Sequence, residues 1–141
     1  MNGENIKNII DEWLNKVPRA VCFTEKMKVY APTCYGKCEK QTNTLISEMN
    51  RIFGGSTVYN EVIGCWYDSS KEETICEPVK VIEVGHNCST KLKLEELMKA
   101  ITKYAVDTKQ DAISIHNGKF YIADREPLIE RYEELKEEVK V

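Results

Sequence analysis

The chain has 141 residues, 42% hydrophobic and 30% charged, with a formal net charge of −3. That length suits a single domain with its own core, and no apolar run reaches the roughly 20 residues a membrane-spanning helix needs. Residues 124–141 hold seven acids and four bases, which accounts for the whole −3; residues 1–123 are neutral. No basic stripe of the kind that tracks phosphate is present, so charge gives no support to dedicated nucleic-acid binding. The opening NGENIKNIIDEW has no signal-peptide core, and the cytoplasm is the expected compartment.

Residues 1–18 read as an N-terminal helix. Ile6, Ile9, Ile10, Trp13, Leu14 and Val17 fall on one helical stripe, and Pro18 stops it. A core of residues 19–123 follows. AVCFTEKMKVYAP reads as a strand ending at Pro32, and TCYGKCEKQT as a loop leading to a second helix. That helix is marked by Leu45, Ile46, Met49, Ile52 and Phe53, with Gly54–Gly55 as its C-terminal stop. A helix C-terminus is the wrong end for an anion, so these glycines are not a phosphate loop. Two strands over about 56–67 and 74–86 flank the polar turn DSSKEE, a hairpin signal.

STKLKLEELMKAITKYAV predicts a third helix with Leu94, Leu97, Met98, Ile101 and Tyr104 inward. AISIH and KFYIA are short strands around Asn117–Gly118, a type I′ turn signature. Residues 124–141 form the last helix, with Asp124 at its cap, Pro127 in its first turn, and Leu128, Ile129, Tyr132, Leu135 and Val139 on one side.

The fold class is therefore α+β: a ferredoxin-like βαββαβ antiparallel sheet with added N- and C-terminal helices and a short C-terminal hairpin strand. Right-handed crossovers set the expected strand order 4-1-3-2. One sheet face is covered by the two crossover helices. The other needs cover from the terminal helices or from a partner.

FGGSTVYNEVIGCWYD, a charged turn, EPVKVIEV and a helix running into AISI resemble a family of small hypothetical proteins. That family pairs a "TV…G.W" strand with an "EPV.VI" strand. The resemblance spans roughly residues 27–116. It implies a ferredoxin-like core of unknown function and brings no catalytic residue.

In a symmetric hairpin turning at Asp68–Glu73, Cys65 opposes Cys76, Ile63 Pro78, Glu61 Lys80 and Tyr59 Ile82. The other face pairs Trp66 with Ile75, Val62 with Val79 and Asn60 with Val81. Asn60 and Glu61 are then not one site. Glu77 and Glu83 share a face but stand about 20 Å apart at ~3.3 Å per residue, too far for one metal centre, and Glu61 is on the other face. Only a bulge that breaks the register brings these carboxylates into a metal site.

The expected topology sorts the remaining metal-type ligands into two groups. Cys22, His86, Cys88 and His116 belong to one sheet edge, and Cys34, Cys38, Cys65 and Cys76 to the opposite edge. Each group has a zinc-like composition, but neither has a second close pair. Most of these cysteines are expected as buried small hydrophobes. Cys65, Cys76, Cys34 and Cys38 are the disulfide candidates, with Cys65 and Cys76 adjacent by register. A bridge is to be expected where the source is a hyperthermophile or its virus; the Lys, Glu and Ile content permits a thermophile. No catalytic, cofactor-binding or metal-binding residue is assigned.

The expected function is a non-enzymatic binding or regulatory module. It acts through protein–protein contact or dimerisation, with a viral or mobile-element origin by analogy with other small orphan proteins. The alternatives are a metal-dependent nuclease, a thiol hydrolase using Cys22 or Cys88 with His86, and a metal-stabilised structural protein.

Overall fold

The structure, a computed structural model, describes residues 3–18, 23, 25–86 and 91–140. The chain runs α1 (Gly3–Asn15), β1 (Glu25–Pro32), a 3-10 turn (Cys34–Gly36), α2 (Glu39–Phe53), β2 (Thr57–Asp68), β3 (Glu73–His86), α3 (Lys91–Asp107), β4 (Ala112–His116), β5 (Phe120–Asp124) and α4 (Arg125–Lys140). The five strands form one sheet in the order β2-β3-β1-β4-β5, with every neighbouring pair antiparallel. The first four strands thus stand in the expected order 4-1-3-2, and β5 extends the sheet past β4.

Alternation decides which face is buried. Met27, Val29 and Ala31 on β1, Ile82 and Val84 on β3 and Ile113 on β4 point to one side. There they meet Leu45, Met49 and Ile52 of α2 and Leu97, Ile101 and Tyr104 of α3. Each buried aliphatic side chain contributes about 1.5–3 kcal/mol, so this layer of helices on sheet is the core. Leu94, expected inward, is exposed at the outer flank of α3. Gly54 ends α2 as anticipated, with φ 89° and its N–H donating to the Asn50 carbonyl at 2.7 Å. Tyr104 anchors the sheet end, its hydroxyl donating to the Pro32 carbonyl; burial pushes its pKa up to about 12.

Two turns depart from expectation. The β4–β5 hairpin has a three-residue loop, because His116 pairs with Phe120. Only Gly118 there has positive φ, at 76°, whereas a type I′ turn needs positive φ at both central positions. In the β2–β3 hairpin the register holds from Asp68–Glu73 back to Val62–Val79 and then slips, with Tyr59 opposite Val81 and Thr57 opposite Glu83. Asn60 and Glu61 together oppose Lys80, which is a β-bulge. The pairings Tyr59–Ile82 and Asn60–Val81 are therefore corrected, and Tyr59 moves to the face that carries Val62 and Trp66.

The terminal helices do not cover the second face. α4 packs beside α3 with Leu128 and Leu135 buried. Among the described residues α1 makes no extensive contact with another element, and its stripe from Ile6 to Val17 is 38–66% exposed. No helix among the described residues is long and apolar enough to cross a membrane.

Candidate functional site

The open face holds the feature best suited to bind something. Even-numbered residues of β1, odd-numbered residues of β3 and, beyond the bulge, even-numbered residues of β2 point to it, as do Ser114, Phe120 and Ile122. Val62, Gly64 and Val79 form the floor of a concavity of about 510 Å³, and Trp66, Tyr30, Phe120 and Ile122 rise around it. That volume lies in the range of about 300–1,000 Å³ typical of small-molecule sites. Gly64 keeps the floor low, since a Cβ there would stand 3.0 Å from Val79 Cγ2. Tyr30 and Phe120 meet edge to face, centroids 5.8 Å apart at 71°, a favourable aromatic geometry. Trp66 is 47% and Ile122 68% exposed, so apolar surface stands open to water.

One carboxylate enters this apolar setting. Glu77 pairs with Gly64 and lines the concavity. Desolvation by burial raises its pKa, and among the described residues no ion pair reaches it. Ser114 adds a hydroxyl, and Gln110 and Asp111 lie at the rim. Glu83 shares the face with Glu77 but is committed elsewhere: its carboxylate lies 3.7 Å from Lys28 Nζ and 4.0 Å from Lys26 Nζ, and accepts from the Tyr59 hydroxyl at 3.4 Å. Asn60 lines a different hollow with Lys80, Thr42 and Glu39 at the start of α2.

The second cysteine group is bonded. Cys34–Cys38 and Cys65–Cys76 are disulfides, with Cα atoms 5.3 Å and 4.1 Å apart. Cys65 and Cys76 sit directly opposed on paired strands, as the hairpin register requires. These four are therefore neither thiols nor zinc ligands; the expectation of burial holds for Cys38, 8% exposed, and fails for Cys65 and Cys76, which are exposed. In the other bridge, Cys34 and Tyr35 both adopt φ 54°, which folds the chain back until Cys38 meets Cys34. The Tyr35 hydroxyl donates to the Cys76 carbonyl at 2.9 Å and ties the two bridged segments together.

Of the first group the described residues include His86 and His116, which do not come together. His86 pairs with Glu25 and His116 with Lys28, so the two rings point to opposite faces. His86 Nε2 is 3.1 Å from Asn117 Oδ1, while its Nδ1 is buried without a partner. Cys22 and Cys88 lie outside the described residues. Among the described residues no cluster of three or more His, Cys, Asp or Glu is placed to hold a metal ion.

Half of this site was readable from sequence. The opposition of Trp66 to Ile75 and Val62 to Val79 follows from the hairpin. Phe120 and Ile122 lie on the strand KFYIA, and nothing local in the sequence joins that strand to the hairpin.

No family model matches the chain. No curated protein matches it either. Among solved structures it is similar to a phage SAM lyase in complex with S-methyl-5'-thioadenosine, with a TM-score of 0.55 and 10% identity over 77% of this chain and 96% of that one. It is also similar to a phage SAM lyase in the apo state, with a TM-score of 0.48 and 11% identity over 77% of this chain and 94% of that one. At such identity the first likeness is one of fold.

Proposed function

We propose that the concavity on the open sheet face binds an adenosyl sulfonium or thioether of the S-adenosylmethionine class. The observation that carries this reading is the combination of aromatic walls with a partly desolvated, unpaired Glu77. A purine ring needs flat apolar surface to stack on, which Trp66, Tyr30 and Phe120 supply. A sulfonium is a weakly hydrated cation, attracted to aromatic faces and to a carboxylate. The fold likeness to a lyase solved with S-methyl-5'-thioadenosine supports the choice by analogy.

Isothermal titration with S-adenosylmethionine, S-methyl-5'-thioadenosine and adenosine tests it, with product analysis for cleavage of the sulfonium. The expected result is tighter binding of the sulfonium than of adenosine. Glu77→Gln should weaken the sulfonium selectively, and Trp66→Ala should weaken all three. Equal binding of sulfonium and adenosine with no effect of Glu77→Gln, or no binding at all, overturns the reading.

A second reading, contact with protein, is favoured by the extent of the bare surface. Apolar groups continue past the concavity to Tyr59 and recur along the whole of α1, more than one nucleoside covers. The non-enzymatic binding or dimerising module read from the sequence, with its viral or mobile-element origin, belongs here. We read the core as ferredoxin-like. Its two disulfides point to an oxidising compartment or a hyperthermophilic source.

A further inference from the structure

Among the described residues, two apolar surfaces stand uncovered. One is the stripe of α1. At 100° per residue, Ile9, Trp13, Ile6, Val17, Ile10 and Leu14 cover one side of the helix, and all are exposed. The last turn extends through Val17, whose N–H donates to the Leu14 carbonyl at 3.0 Å. Lys7 and Lys16 border the stripe, one on each side, and Asp11 and Glu12 occupy the far side. The other surface is the open sheet face, with Trp66, Phe120 and Ile122 exposed. By register that face also carries five acids (Asp68, Glu73, Glu77, Glu83, Asp124) against two lysines (Lys26, Lys28), a surplus of three negative charges. A stripe bordered by lysines complements an apolar face with surplus acids, and such complementarity selects and orients a partner.

In the single chain these two surfaces do not meet. Contiguous apolar patches of this kind mark interaction sites, and because both surfaces lie on one chain, two copies satisfy each other through a two-fold axis. We infer that two copies of this chain associate reciprocally, the apolar stripe of α1 in one copy seated on the open sheet face of the other. This rests on the protein-contact reading of the face and not on the ligand reading.

Sedimentation velocity without nucleoside, at protein concentrations up to about 100 μM, tests it. The wild type is expected to sediment as a dimer. Trp13→Glu in α1 and Ile122→Glu on the sheet each remove a buried anchor from both halves of the interface, and each should weaken association by roughly 30-fold or more. Ile6→Glu is a second helix variant, and circular dichroism checks that each remains folded; all three positions are exposed in the single chain. Mixing Trp13→Glu with Ile122→Glu should restore a heterodimer, because one intact helix then meets one intact face. A monomeric wild type, a dimer that survives both helix variants, or no recovery on mixing overturns the inference. Both proposals use Trp66, Phe120 and Ile122. Sedimentation without nucleoside therefore reads association alone, and ligand titration of the Trp13→Glu variant, whose helix no longer competes for the face, reads ligand binding alone. Either proposal can then fail by itself.

Discussion

Replacing Cys65 and Cys76 together by serine should cost the fold more than replacing Cys34 and Cys38 together. The bridges close loops of different size, with sequence separations of 11 and 4. The loop-closure entropy that a bridge removes from the unfolded chain then corresponds to roughly 2.8 kcal/mol for the first and roughly 1.9 kcal/mol for the second. The local backbone widens the gap. Cys34 and Tyr35 hold left-handed conformations at φ 54°, which cost about 1–2 kcal/mol per residue, and cutting their bridge lets the turn relax. Cutting Cys65–Cys76 brings no such relief, because the β2–β3 ladder fixes both strands on either side of it. Paired serines avoid leaving a lone thiol. Urea unfolding followed by circular dichroism reads the difference, after non-reducing peptide mapping has established both bonds. With a slope of about 2 kcal/mol per molar, the midpoint should fall by about 1.4 M for the hairpin pair and by less than about 0.9 M for the turn pair. The reverse order, or a hairpin shift below about 0.5 M, would refute the reasoning.

Other outcomes are expected. Tyr104 should ionise last of the seven tyrosines, near pH 12, in an absorbance titration, and Tyr104→Phe should abolish that late step. Because its folded pKa is raised, its stabilisation is complete below pH 10 and is lost as pH climbs from about 10 through about 12. The raised Glu77 carboxyl likewise favours folding below its ordinary 4.5 and loses that contribution as pH rises through its folded value, so Glu77→Gln should gain stability relative to wild type at neutral pH, read by urea midpoints. Gly64→Ala should reduce ligand affinity in calorimetry more than it reduces stability, since its Cβ intrudes on Val79 and on the floor of the concavity. Leu45→Ala, at a side chain 2% exposed in the core, should cost about 2–5 kcal/mol in denaturant unfolding.

How far the sequence could be read depended on whether the information was local. The hairpin was legible because β-branched alternation brackets one polar turn, and that alone places Cys65 against Cys76. The bulge was not, because Asn60 and Glu61 suit a regular wet strand as well as an irregular one, and a one-residue slip leaves no mark in composition. The Cys34–Cys38 bond stayed open because it depends on two left-handed residues, Cys34 and Tyr35, neither a glycine. The stripe of α1 was legible as a stripe, yet its exposure was not, since periodicity says which side is apolar and not what it meets. The concavity draws on all five strands, and only the order of the sheet unites Trp66 with Phe120.

The bulge also bears on solubility. β2 is an outermost strand twelve residues long, and such an edge offers unpaired backbone groups to any other extended chain. At Asn60–Glu61 the ladder is interrupted, so the edge is broken into two shorter runs whose side chains alternate out of phase. A stray strand that matches one run is in the wrong phase for the other. Deleting a single residue there would straighten the ladder and leave one continuous edge with Trp66 and Tyr67 exposed along it, a template for aggregation that the extra residue now interrupts.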